Sequence, residues 1–127
     1  MSANPVRIFV PVDAAALSVG AEAVAQTIAS EAAVRGLAIE VVRNGSRGML
    51  WLEPMVEVET NEGRIAYGPV AAKDVPSLFD AGLVTGGAHG LRLGKTEELD
   101  WMKRQQRLTF ERVGVIDPLS IADYRAH

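Results

Sequence analysis

The chain has 127 residues, 48% of them hydrophobic and 23% charged, with a net charge of −3, which is the size and make-up of one globular domain. With a pI near 5.4 it has no basic field for nucleic acid, and no run approaches the roughly 18 apolar residues of a membrane span. The absence of cysteine excludes disulfides, thiol redox chemistry, thiolate zinc sites and all-cysteine iron–sulfur centres.

The amino-terminal stretch MSANPVRIFVPVD lacks a charged region followed by a long apolar one, so no signal peptide is read and a cytoplasmic location is the default expectation. Residues 6–12, VRIFVPV, read as a buried strand bounded by Pro5 and Pro11. Ser18 is the expected N-cap of a helix over 19–37, in which Leu17, Ala21, Val24, Ala25, Ile28 and Ala32 recur at helical spacing. Its alanines make a thin face suited to lying close on a sheet, and Gly36 is the expected stop. Residues 38–43, AIEVVR, read as a second strand, parallel to the first because a helix connects them.

A Gly-rich loop, 43-RNGSRGMLWLEP-54, comes next. Residues 55–60 alternate apolar and polar as a half-buried strand does. Residues 61–64, NEGR, read as a hairpin turn with Gly63 at a positive φ, and 65–70 pair back antiparallel. Asp74 is the expected cap of a short helix over 75–82, with Pro76 in its first turn and Gly82 at its end. The order β-α-β-β-β-α predicts a four-stranded mixed sheet with helices, the order of a thioredoxin-like α/β domain.

Residues 83–95 read as a connector. The run 86-GGAHGLRLG-94 has the wrong spacing for a dinucleotide loop and neither follows a strand nor opens a helix. His89 reads there as a solvated loop histidine. Thr96 is the expected cap of a helix over 97–108, with acids first and Lys103, Arg104 and Arg107 last, matching the helix dipole. Residues 110–127 hold a short strand-like run and a turn at Asp117-Pro118, then stop without a closing element. The expected division is a domain over 1–95, then a helix and linker over 96–127. The ending reads as a cut just past a domain boundary.

Two segments carry a resemblance. Residues 43-RNGSRGMLWLEPMVEVET-60 with 67-YGPVAAKDVPSLFD-80, and the tail 104-RQQRLTFERVGVIDPLSIADYRAH-127, are similar to the amino-terminal thioredoxin-like domain and flavin-domain linker of a flavoprotein family. These are the NADH-binding subunits of soluble NAD-dependent formate dehydrogenases (the β subunit) and bidirectional hydrogenases, relatives of the respiratory complex I flavoprotein subunit. The fold this implies is thioredoxin-like, of the [2Fe–2S] ferredoxin kind. In many relatives the domain holds a [2Fe–2S] cluster on four cysteines. The matching positions here are Pro11, Ala16, Ser46 and Leu50, none of which donates a thiolate. The resemblance therefore implies a domain without cluster, catalytic or metal residues, while FMN, NAD and iron–sulfur clusters belong to the full-length protein and its complex. The implied partners are an iron–sulfur subunit and the chain's own flavin domain.

The expected partner contacts are Arg47, Met49, Leu50, Trp51 and Trp101: alternation from Leu50 to Val56 cannot bury every large apolar residue on one face, a Trp beside Arg and Met has the composition of a contact patch, and Trp101 sits on a helix with two wet faces. Leu50 is expected to fill the volume of a cluster. Trp51 fits core and partner contact equally. An alternative is an anion- or small-molecule-binding module that uses the loop over 44–48. A plain turn is the blander reading, since no helix follows to add its dipole. Asp13 and Asp74 read as cap or turn residues. A stand-alone thioredoxin or peroxiredoxin activity is excluded by the missing cysteines.

Overall fold

The structure is a computed structural model, and it describes residues 5–104 and 113–126. Strand β1 (Val6–Phe9) pairs in parallel with β2 (Ile39–Val42). On its other side β1 pairs antiparallel with β3 (Val56–Thr60), which pairs with β4 (Gly63–Tyr67) through the expected hairpin. Gly63 holds φ +111° at that turn, as a residue without Cβ can. The sheet has five strands rather than four, in the order β2-β1-β3-β4-β5, because β5 (Arg92–Lys95) pairs antiparallel with β4. Its sequence, RLGK, has no apolar alternation. It is an edge strand recruited by the free side of β4, and its cations suit an exposed edge.

The helix after β1 is split. Helix α1 (Ala14–Ser18) comes first, and α2 (Ala21–Val34) begins at Gly20, which takes φ +99°. Ser18 is therefore the end of α1 and not the cap of α2, and its Oγ donates to the Ala15 carbonyl at 2.7 Å. Helix α2 stops as expected. The Leu37 amide donates back to Ala32 and the Gly36 amide to Ala33, with Gly36 at φ +68°, a Schellman ending. Helix α3 (Val75–Asp80) is tied to it by Arg35, which meets Glu31 at 3.1 Å and Asp80 at 2.9 Å.

Strand periodicity sorts the side chains onto two faces. On one face, Ile8, Val10, Val56, Val58, Ile65 and Tyr67 meet Val24, Ile28 and Leu78 of the helices in the main core. The opposite face carries Phe9, Glu57, Arg64 and Ala66. It is covered by the loop after β2 and by residues near the carboxyl end. A second cluster of Met49, Met55, Ala66 and Met102, flanked by Leu52, Leu93 and Leu99, closes part of it.

The expected helix over 97–108 is broken at its start. Thr96–Glu98 form a 3₁₀ turn, Leu99 is extended, and α4 covers only Asp100–Lys103. Thr96 is buried with its hydroxyl unpartnered, so it caps nothing by side chain. The remainder of that expectation lies outside the described residues. The strand-like run expected after 110 is, from 113 onward, a turn leading into α5 (Ile121–Ala126). Among the described residues no helix is long and apolar enough to cross a membrane.

Candidate functional site

The Gly-rich loop is fastened at three levels, each by a polar residue. At its root, Arg43 donates to the carbonyls of Val10 and Pro11 and pairs with Glu22 at 2.7 Å. The Asn44 backbone carbonyl accepts from Val12, which extends the β1–β2 pairing by one rung. In the middle, Ser46 Oγ accepts from the Gly48 amide and donates to Glu53 Oε1 at 2.9 Å, while Glu53 Oε2 accepts from the Met55 amide at 3.1 Å. Burial raises the Glu53 pKa, and the negative charges of Asp13 and Glu57 add to the rise against those two hydrogen bonds.

Deepest is Arg47. Its Nε lies 2.9 Å from Glu57 Oε1 and its Nη1 2.8 Å from Glu97. Arg64 approaches Glu57 from the next strand at 3.2 Å and lies 3.5 Å over the Phe9 ring. Desolvation opposes the Arg47 cation, yet Glu57 and then Glu97 outweigh it and raise its pKa. Arg64 is lowered, first by burial and also by the positive charge of Arg47.

Beyond Arg47 the loop reaches the surface. Met49 is buried, and the 3₁₀ turn Leu50–Leu52 leaves Leu50 59% and Trp51 60% exposed. Trp101 from α4 is 47% exposed and meets Trp51 edge to face, with ring centroids 5.5 Å apart and planes at 89°. Under this pair runs an open cleft of about 350 Å³ lined by Met49, Leu52, Leu99, Asp100 and Arg104.

Of the five expected contact residues, Trp51 and Trp101 meet at one surface, and Leu50 is exposed next to Trp51 in the chain. Arg47 and Met49 are inside, because Arg47 is the loop's ion-pair anchor and Met49 its apolar one. Leu50 does not fill an interior volume, since the 3₁₀ turn holds it outward and Met49 packs in its place. The anion-binding reading of 44–48 loses its side-chain donors, because Arg47 is engaged by two carboxylates and the Ser46 hydroxyl by Glu53.

The cluster positions do not suit a [2Fe–2S] group. Pro11 and Ala16 are buried without a donor atom, Ser46 is engaged, and Leu50 faces outward. Among the described residues no three of His, Asp or Glu gather as metal ligands. Asp13 precedes α1 without a side-chain capping bond, and its buried Oδ1 has no partner. Asp74 sits before α3 as expected but makes no side-chain capping bond to it; its Oδ2 accepts instead from the Ala71 amide, a turn role. His89 is not a free loop residue. Its Nδ1 accepts from the Leu91 amide at 3.0 Å and its Nε2 sits 3.0 Å from Ser77 Oγ. With Nδ1 accepting, neutral His89 carries its proton on Nε2 and gives it to Ser77, so it is not a base for that hydroxyl.

Sequence reasoning missed Glu53, Glu57 and Arg64. For Glu57 and Arg64 the signal was present as opposite charges at the 55–60 strand and the turn that follows it, on a side that reads as solvent until something is known to cover it; Glu53, in the loop, gave none.

No protein-family model and no curated protein sequence matches the chain. Solved structures do. A thioredoxin-like [2Fe–2S] ferredoxin from Aquifex aeolicus superposes with a TM-score of 0.60 at 19% identity, covering 74% of this chain and 94% of that one. A wild-type structure of the thioredoxin-like ferredoxin from that organism gives 0.58 at 20% identity, covering 73% and 100%. A cysteine-to-serine variant gives 0.60 at 20% identity, covering 71% and 99%. The chain is an α/β domain with the thioredoxin-like ferredoxin fold.

Proposed function

We propose that this chain is a docking domain of an electron-transfer flavoprotein subunit, a thioredoxin-like module without cluster ligands. The parent on this reading is the NADH- and FMN-binding β subunit of a soluble NAD-dependent formate dehydrogenase. The domain holds an iron–sulfur partner subunit or its own flavin domain, and hydride and electron chemistry take place elsewhere in that assembly. Three things support the reading: the sequence resemblance of the loop and tail, the fold, and a set of cluster positions with no thiolate.

The observation that carries the docking role is the Trp51–Trp101 pair. Two large aromatic side chains stand half-exposed and in contact over a cleft lined by Met49, Leu52 and Leu99 with Asp100 and Arg104, and partly exposed tryptophans of this kind are the residues that dominate protein interfaces. The test is titration calorimetry of the purified chain against the small [2Fe–2S] subunit and, separately, against the flavin domain of such an enzyme. Saturable binding to either, weakened by Trp51→Ala, supports docking. Binding that is untouched by Trp51→Ala and Trp101→Ala moves the interface elsewhere, and no binding to either overturns the proposal.

A further inference from the structure

Residues 113–126 lie across the sheet's second face, and the main chain at Gly114 and Val115 is held there by side chains of the sheet and loop. Arg64 Nη1 donates to the Gly114 carbonyl at 2.9 Å, and Nη2 donates to the Val115 carbonyl at 2.5 Å. Asn44 Nδ2 donates to the same Gly114 carbonyl at 2.7 Å. Farther along, Arg7 reaches Asp123 at 3.5 Å. The apolar attachment is thin. Ile116 is buried, whereas Leu119 and Ile121 are exposed at 88% and 70%.

Arg64 and the main chain of Asn44 are fixed without this segment. Arg64 is pinned by Glu57 and by the Phe9 ring. The Asn44 main chain is bonded to Val12. Both donors read backbone carbonyls of the turn at Gly114 and Val115, so they recognise its main chain and not a particular side chain.

We infer that residues 113–126 are a strap that opens and closes as a unit on a preformed seat made by Arg64 and Asn44. A segment whose side chains are mostly exposed, with Ile116 the one large side chain it buries, detaches before the sheet unfolds. Opening admits water to Arg64 and, behind it, to the Arg47–Glu57 pair. Gly114 is the point where closure is most demanding. It takes φ +84°, and a Cβ there lies 2.8 Å from both Cγ and Cδ of Arg47. Those atoms belong to a buried, doubly ion-paired side chain that has little room to yield. Gly114→Ala therefore bars closure and leaves the β3–β4 bonds in place.

The experiment is residue-resolved hydrogen exchange by NMR on the full 127-residue chain. In the native protein the Ser120 and Tyr124 amides, bonded to Asp117 and Ser120, exchange together, at least about tenfold faster than β3 and β4. The Asn44 side-chain amide follows the strap. In Gly114→Ala these signals lose a further tenfold or so of protection while β3 and β4 keep theirs. Ile116→Ala is the second variant, expected to loosen the strap in the same pattern by removing its apolar anchor. Strap and sheet amides that exchange at one common rate overturn the inference. So does equal loss of protection in strap and sheet in whichever variant folds.

Discussion

Arg47 Nε lies 2.9 Å from Glu57 Oε1, with both side chains almost wholly shut from water. The first residue belongs to the loop and the second to the middle of the sheet, so one ion pair joins the least regular segment to the most regular. Glu57→Ala leaves Arg47 and Arg64 facing each other without their shared counter-charge. The expected loss is about 3–5 kcal/mol of stability, the range for breaking a buried pair, measured by urea denaturation followed by far-UV circular dichroism. A loss below about 1 kcal/mol, the scale of an exposed pair, means that water reaches the pair.

Glu53 gives the pH dependence. Its folded pKa is raised above the ordinary glutamate value, chiefly by burial. Its contribution to stability is thus fully present below the unfolded pKa and is lost as pH rises through the folded one. Glu53→Gln carries no titrating group. The stability of the wild type relative to Glu53→Gln should therefore increase as pH falls through that window, and flatten on both sides of it. Denaturation midpoints across the acidic range check this, and a relative stability that decreases with falling pH reverses the sign.

The tryptophan pair can be weighed by itself. Trp51 and Trp101 meet edge to face at 5.5 Å, a geometry that contributes about 0.5–1.5 kcal/mol beyond area burial. A double-mutant cycle to alanine should give a coupling in that range, with each single variant still folded because both rings are half-exposed. Against a bound partner, Trp51→Ala should cost about 2 kcal/mol or more of binding, as interface anchors do. Intrinsic fluorescence and calorimetry read the two effects separately.

Cysteines placed together at positions 11, 16, 46 and 50 should not assemble a cluster. Leu50 points to solvent while Ala16 lies in the core, and Ser46 is built into the Glu53 turn. After anaerobic reconstitution the variant should be colourless and free of iron. A brown protein with a charge-transfer band in the visible shows that the loop re-forms a cluster pocket.

Most of the frame was legible from periodicity and punctuation. The runs at 6–12 and 38–43, the alanine-rich helix between them and the hairpin around Gly63 all follow from spacing and from glycines placed where the backbone needs them. Strand β5 was not legible, because RLGK has no pattern of its own and becomes a strand only beside β4. The break between α1 and α2 was hidden because Ser18 and Gly20 are both plausible boundary residues. At the site, Trp51 and Trp101 were singled out from the sequence as contact residues, and the structure leaves both half-exposed. The burial of Arg47 was not legible. Alternation says which residues share a side of a strand, and nothing in it says that the chain's own loop and tail cover that side.

The cross-strand register pairs Glu57 with Ala66 and Val58 with Ile65. A slip of one residue turns every side chain of β3 to the opposite face. Glu57 would then enter the apolar core among Ile8 and Val24, and Val58 would stand between two arginines. The charges behind the sheet thus act as a proofreading device for the hairpin. A one-residue slip strands a carboxylate in hydrocarbon and takes from Arg64 its partner Glu57, so the charges disfavour that misalignment of β3 with β4.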